Sequence, residues 1–288
     1  MKALAFGEVL WDVYPESKHL GGATMNFAAH FKKCGGDAYI VTAVGKDPLG
    51  DETLAHIRAL GIGADYVTRS DKETGKCLVT LNEQKIPSYN LLDHVAYDEI
   101  EAPPVGGEAF DVLYFGTLAL RNQNNREVLG RILGEATFSH VFVDVNIRPP
   151  FYSEEVVRLA LAKATILKIS DEELPFVMAV LGKERGRDEA CAAALAKDFS
   201  GLRLLLITRG DKGALVYDAA SGKTYESPAE KVTVVSTVGA GDSFSAAFLA
   251  EYLKTGDVAA ALALAARVSA YVVSCEGAIP EYRLSDFT

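Results

Sequence analysis

Two hydrophobic periods alternate along this chain. Short aliphatic and β-branched runs at Ala3 to Phe6, Tyr39 to Ala43, Val112 to Phe115, Val141 to Val145, Thr165 to Ile169 and Leu204 to Thr208 predict strands. Apolar residues at helical spacing predict helices from Met25 to Lys33, Asp51 to Leu60, Asn124 to Ala136, Glu154 to Ala162, Glu172 to Leu181 and Asp188 to Phe199. Several strands are unbroken apolar runs, the pattern of a strand buried on both faces. The pattern as a whole predicts an α/β fold with a mostly parallel central sheet flanked by helices. Gly35 and Gly36 follow Lys32 and Lys33 as a helix C-cap would, with cations in the last turn and glycine just beyond.

One region breaks the alternation. From Thr74 to Ile100 the pattern gives two short strands, Lys76 to Leu81 and Ser88 to Leu92, joined by a polar turn at Asn82 to Ile86. No helix separates them. Such an insertion is either an ordinary edge hairpin or a lid that excludes water from a reacting group. The expected organisation is a single domain over 1–288, with lid strands at about 74–100 and part of 10–22 inserted in it.

With 288 residues the chain can bury a sizeable core. Its net charge of −10 and scattered basic residues exclude a broad footprint for nucleic acid or acidic lipid. Cys34, Cys77, Cys191 and Cys275 have no paired spacing, and His19, His30, His56, His94 and His140 are too dispersed to suggest a metal site. Buried thiols in a cytoplasmic protein are the expectation. The N-terminal apolar stretch is short and interrupted by Glu8 and Asp12, so it reads as a first strand rather than a signal peptide. Val258 to Cys275 is the most membrane-like segment, but Arg267 at its centre favours a buried core helix.

The densest chemistry lies in Ser236-Thr237-Val238-Gly239-Ala240-Gly241-Asp242-Ser243-Phe244. Val232 to Val235 before it read as a strand, and Phe244, Ala247, Phe248 and Tyr252 after it recur at helical spacing. The glycines would then open a helix whose free N–H groups attract an anion, with no Cβ in the way. Asp242 would stand beside that anion, able to take a proton from an attacking hydroxyl. A Walker A loop is excluded, because no glycine stands five positions before a Gly-Lys pair. A dinucleotide fingerprint would need glycine where Phe244 stands. Simple capping of a helix by Asp242 is the bland alternative, but it leaves the glycines unexplained. A second helix start, Gly21-Gly22-Ala23-Thr24-Met25-Asn26, follows Asp12. Asp and Asn beside free amides suit vicinal hydroxyls, although each residue singly reads equally well as a loop acid or a helix surface residue.

Taken together, these segments resemble the ribokinase-like, or pfkB-type, carbohydrate kinase family. Gly21, Gly22 and Asn26 are similar to its N-terminal signature, and Val44-Gly45-Lys46-Asp47-Pro48-Leu49-Gly50 to its V-G-x-D-x-x-G continuation. Thr237 to Asp242 are similar to its C-terminal D-T-x-G-A-G-D signature, with Ser236 in place of the first Asp. Thr208-Arg209-Gly210-Asp211-Lys212-Gly213-Ala214 is similar to its nucleotide-side turn. The likeness spans almost the whole chain and implies a ribokinase-like fold, with Mg-ATP and a small sugar as ligands.

Asp144-Val145-Asn146-Ile147-Arg148-Pro149 is similar to the strand end of fructokinases and 2-keto-3-deoxygluconate kinases. Pro150-Phe151-Tyr152-Ser153, the run Leu167 to Leu174 and Ile86-Pro87-Ser88-Tyr89 look more like bacterial fructokinases, so fructose is the expected substrate. The resemblance implies Asp242 as base, with Gly239, Ala240 and Gly241 stabilising the transferred phosphoryl group. It implies Asp12, Gly21, Gly22, Asn26, Asn146 and Arg148 on the sugar, and Thr208, Gly210, Gly213 and Thr237 on the nucleotide. Glu173 matches the acid of an N-x-x-E motif that organises Mg²⁺ through water, with Ser170 replacing the Asn. Ser236 weakens the expectation of a monovalent-cation site. Adenine is expected near Val234, the Thr208 turn and the helix from Ala259 to Ser274. Family lids often pair between subunits, which leaves a homodimer through the lid open. The rival readings are a kinase for 2-keto-3-deoxygluconate, ribose or a nucleoside, and a sugar or nucleotide sensor without turnover. An acidic sugar would need a second cation, for which Arg121 is the candidate beside Arg148.

Overall fold

The computed structural model describes residues 1–81, 87–101 and 105–287. The chain runs through β1 (Lys2–Phe6), β2 (Leu10–Val13) and β3 (Lys18–Gly21) into α1 (Ala23–Lys33). Next come β4 (Asp37–Gly45), α2 (Pro48–Ala59), β5 (Val67–Ser70), β6 (Gly75–Leu81) and β7 (Pro87–Leu91). Alternation resumes with β8 (Ala109–Gly116), α3 (Gln123–Glu135), β9 (Thr137–Asp144), α4 (Glu154–Lys163) and β10 (Ile166–Ser170). There follow α5 (Leu174–Val180), α6 (Asp188–Asp198), β11 (Leu204–Thr208), the hairpin of β12 (Ala214–Asp218) and β13 (Lys223–Ser227), and α7 (Ala240–Thr255) with α8 (Val258–Val273).

The nine-stranded sheet has the order β13-β12-β11-β10-β9-β8-β1-β4-β5. It is parallel from β5 to β11, and β12 and β13 add an antiparallel edge. Its strands sort side chains by the period of two. Leu4, Phe6, Leu113 and Phe115 join α3, α4, α5 and α6 in one core, while Ala3, Ala5, Val112 and Tyr114 join α1, α2, α7 and α8 in the other. This two-sided burial is why the strand sequences are continuous apolar runs. The fold is the α/β fold with a mostly parallel central sheet flanked by helices that the pattern predicts, and it agrees with the ribokinase-like fold that the resemblance implies.

The region from Thr74 to Ile100 leaves that sheet. β6 and β7 pair antiparallel, β2 runs parallel to β6, and β3 completes a four-stranded sheet of order β3-β2-β6-β7. Part of 10–22 therefore belongs to it. The expected polar turn at Asn82 to Ile86 lies outside the described residues, and with it the start of the stretch Ile86 to Tyr89.

Two expectations need correction. Val232 to Val235 form no strand: Val232, Val234 and Val235 are 40%, 61% and 54% exposed, and β13 already closes the sheet edge at Ser227. β-branched residues favour strands only where a pleated neighbour exists to pack against, and here there is none. The N–H groups of Val235 and Ser236 instead donate to Val273 O at the end of α8, at 2.8 and 3.2 Å. The membrane-like segment is α8, but it buries one face only, with Val258, Ala261, Leu262, Leu264, Ala265, Val268 and Val272 inward and Arg267 exposed. Among the described residues no helix is long and apolar enough to cross a membrane. All four cysteines are free, three of them buried and Cys275 partly exposed.

Candidate active site

The C-terminal ends of β1, β8, β9, β10 and β11 share one edge of the large sheet, where open α/β sheets place their ligand crevices. Onto this edge α1 and α7 direct their N-termini. Gly239 is the N-cap of α7 in the left-handed conformation (φ 80°), and a β-carbon there would meet Ala278 O at 2.7 Å. Only glycine fits that turn. Ala278 O is also 2.8 Å from His30 Nε2, and burial lowers the His30 pKa to about 4, so a neutral ring tethers this loop against the turn.

Asp242 lies in the first turn of α7 and does not cap it. No side chain caps this helix, and Asp242 Oδ2 accepts a 2.8 Å hydrogen bond from Asn26 Nδ2. That bond joins the two glycine-led helix starts across 216 residues of sequence. The carboxyl is partly exposed to solvent yet enclosed by protein. Burial, helped by the nearby charge of Asp144, raises its pKa to about 6, while Asn26, Lys168 and Arg148 pull the other way. A carboxylate poised there can accept a proton near neutral pH.

Asp12 stands on β2 opposite His19 of β3 and beside Cys77 of β6. Burial raises its pKa, against the lowering effect of Arg148 and His19. Gly21 leaves it room, since a β-carbon at 21 would lie 2.9 Å from Asp12 Oδ2. Gly22 is the N-cap of α1 with φ 97°, where a β-carbon would strike Glu8 O at 2.6 Å. Asn146 follows β9 with φ 43°, a conformation that Asn tolerates better than most residues. Arg148 is exposed and has no ion pair among the described residues, but its charge acts on Asp12, Asp242 and Glu8.

Glu173 is more firmly held than a surface helix acid. Its Oε2 accepts from Ser170 N at 2.8 Å while Ser170 Oγ accepts from Glu173 N at 3.1 Å, a reciprocal capping box ahead of α5. Its Oε1 accepts from Ile147 N at 2.6 Å, bracing the loop that carries Asn146 and Arg148. Each oxygen keeps a lone pair, so Glu173 suits Mg²⁺ bound through water better than direct ligation. Among the described residues no three His, Cys, Asp or Glu side chains cluster as a metal site.

On the far side, Thr208 ends β11 and its carbonyl accepts from Asp171 N at 2.8 Å. Gly210 (φ 54°) and Gly213 (φ 91°) bound the turn into β12, and a β-carbon at 213 would overlap Ser227 O. Thr237 is exposed, and its carbonyl accepts from Ala240 N at 3.3 Å. Ser236 Oγ accepts from Val238 N at 3.3 Å. The exposed valines lie between this turn and the end of α8.

Sequence reasoning overlooked three groups here. Glu8 follows β1 and is 2% exposed; its Oε1 accepts from Ala23 N at 3.3 Å, and its Oε2 is buried without a partner among the described residues. Burial, with Asp242 adding, pushes its pKa up to about 7. Asp144 and Lys168 form a buried ion pair at 2.7 Å behind α7. An acid at the end of the first strand and a lysine inside an apolar run were the available signals.

Known proteins are similar to this chain in sequence and in fold. A fructokinase of Rhizobium leguminosarum bv. trifolii is 30% identical over 275 residues, covering 86% of this chain and 78% of that protein. The fold is similar to that of a Vibrio cholerae O395 fructokinase crystallised with fructose, ADP and calcium (TM-score 0.84, 22% identity, 99% and 98% of the chains covered). It is similar as well to a Thermotoga maritima 2-dehydro-3-deoxygluconokinase (TM-score 0.85, 21% identity, 100% and 97% covered). The family description "pfkB family carbohydrate kinase" matches residues 4–283, and the chain belongs to that family.

Proposed function

We propose that this sugar kinase transfers the γ-phosphoryl group of Mg-ATP to the primary hydroxyl of fructose, giving fructose 6-phosphate and ADP. The observation that carries the reading is the Asn26–Asp242 bond, which sets a carboxylate of raised pKa between a hydroxyl-binding helix start and an anion-binding one. In this reading Asp242 takes the proton of the attacking hydroxyl as the new O–P bond forms and the bond to the ADP oxygen breaks. The N–H groups of Gly239, Ala240 and Gly241 receive the charge on the phosphoryl oxygens. Asp12, Gly21, Gly22, Asn26, Asn146 and Arg148 hold the sugar; Thr208, Gly210, Gly213 and Thr237 border the nucleotide. Mg²⁺ supplies charge neutralisation on the phosphates, and Glu173 orients its water. The four-stranded sheet carrying Asp12 serves as the lid of a single-domain enzyme and as its contact in a homodimer.

A neutral sugar is favoured over 2-keto-3-deoxygluconate by the fate of Arg121. Its Nε and Nη2 donate to Asp98 at 2.7 and 2.8 Å, and Nη2 also donates to Leu92 O and Tyr97 OH. That leaves Arg148 without a second arginine for a sugar carboxylate. The fructokinase relatives support the same choice.

The test is ADP release with Mg-ATP against fructose, ribose, 2-keto-3-deoxygluconate, glucose and adenosine, with and without potassium. Turnover with fructose alone is expected. Turnover with another member keeps the chemistry and overturns the substrate, whereas silence across the panel with ATP bound favours the sensor reading.

A further inference from the structure

The ion pair of Asp144 and Lys168 has no part in the mechanism above, yet it lies directly behind it. The two residues are register partners on the adjacent strands β9 and β10, and they are 2% and 6% exposed. Lys168 Nζ faces the first turn of α7, so that a β-carbon on Gly241 would stand only 3.1 Å from it. One turn further on, the Ser245 hydroxyl donates to Gly241 O at 2.9 Å and lies 3.3 Å from Asp144 Oδ2. Lysine, aspartate, serine and the anion-binding turn thus form one contiguous unit.

Burying both charges costs desolvation energy that their attraction only partly offsets, and an apolar pair of similar volume would serve the core as well. The ammonium has three donors, of which one reaches an acceptor among the described residues, Asp144 Oδ2. Burial opposes its charge, but Asp144, Glu173 and Asp242 together hold its pKa above the usual value.

We propose that Lys168 is a positioning residue for phosphoryl transfer: a fixed cation behind Gly241 that offsets charge gathering in the α7 turn and keeps Asp242 ionisable beside Asp144. The proposal rests on the kinase reading. The groups acting on Asp242 are Asp144 of β9, Lys168 of β10, Asn26 of α1 and Arg148 after β9, while Asp242 in turn acts on Glu8 after β1 and Tyr114 of β8. Lys168 and Arg148 are the two cations in that set, and Lys168 is the buried one.

The experiment is Lys168→Met, which keeps the length of the stem and removes the charge. Expected is a fall in kcat of about a hundredfold, the usual scale for losing one preorganised electrostatic contact. The sugar KM should stay within about threefold, and the acid limb of the kcat/KM pH profile should move up by about one unit as Asp144 acts on Asp242 unopposed. In Asp144→Asn/Lys168→Met the acid limb should return towards that of the unmodified protein, while kcat stays low. An unchanged kcat and acid limb in Lys168→Met overturns the proposal. So does a lowered kcat with an unmoved limb, full activity of the double variant, or failure of that neutral pair to fold, which would mark the pair as structural. If the unmodified protein is silent with every sugar, the kinase reading fails instead, before any variant is compared.

Discussion

Two buried ion pairs of this molecule look alike in sequence and differ in surroundings. Arg121 and Asp98 pair at 2.7 Å under the four-stranded sheet, with Tyr97 OH and Leu92 O taking further donors and the guanidinium 4.4 Å from the centre of the Phe151 ring. Lys168 and Asp144 pair at the same distance behind α7, but among the described residues the ammonium makes one bond, and it faces the first turn of α7, proposed to receive the phosphoryl group. The first pair spreads its guanidinium over Asp98, Leu92 O and Tyr97 OH through Nε and Nη2, while Nη1 is buried without a partner among the described residues. The second keeps donor capacity beside the carboxylate proposed to do chemistry. What a buried cation faces, more than burial itself, separates a charge that holds structure from one that is kept available.

The largest expected effect sharpens that contrast. Arg121→Met should lower stability by about 3 to 5 kcal/mol, because Asp98 is left buried and unpaired. Chemical denaturation measures this, and the folded enzyme should retain its kcat, the reverse of Lys168→Met. A large loss of kcat at full stability would erase the distinction between the pairs.

Glu8 is a third buried ionisable group, with no cation hydrogen-bonded to it among the described residues. Its pKa is raised to about 7, so folding favours its protonated form. The stability this brings is fully present below the unfolded carboxyl pKa and is lost as pH rises through about 7. Glu8→Gln should therefore gain stability relative to the unmodified protein between pH 4 and pH 8, by on the order of 3 kcal/mol. Denaturation curves at both pH values that differ by the same amount would contradict the burial argument.

Asp12 is partly exposed and has no ion pair among the described residues. Asp12→Ala should raise the sugar KM about ten- to a hundredfold, the scale of a lost hydrogen bond to a charged group, and leave the ATP KM unchanged. A rise in the ATP KM instead would move Asp12 out of the sugar site. The smallest effect concerns Ser236, whose hydroxyl is taken by Val238 N. Ser236→Asp should introduce a potassium response in the ADP-release assay, and an unchanged response would leave the substitution at this position without a role.

The large sheet and its helices were legible because two-sided burial writes itself into the strands as apolar runs and into the helices as a 3.6-residue period. The glycines were legible because each turn forbids a side chain, as at Gly22, Gly213 and Gly239. Val232 to Val235 misled because β-branched residues signal a strand only when a sheet edge is free to receive them. The capping box of Ser170 and Glu173 was visible in its S-x-x-E spacing, but the third bond from Ile147 N was not. Long-range polar partners such as Asn26 with Asp242 leave no local pattern, and Lys168 inside an apolar run could be recognised as an ion-pair partner only once β9 lay beside β10.

The most direct test of the account compares the unmodified protein with Asp242→Asn, measuring sugar-dependent ADP release and, by calorimetry, sugar binding. A fall in turnover of about a hundredfold or more with sugar affinity preserved is the predicted result. Turnover at the unmodified rate would contradict the role of Asp242 as the base on which the whole site is built.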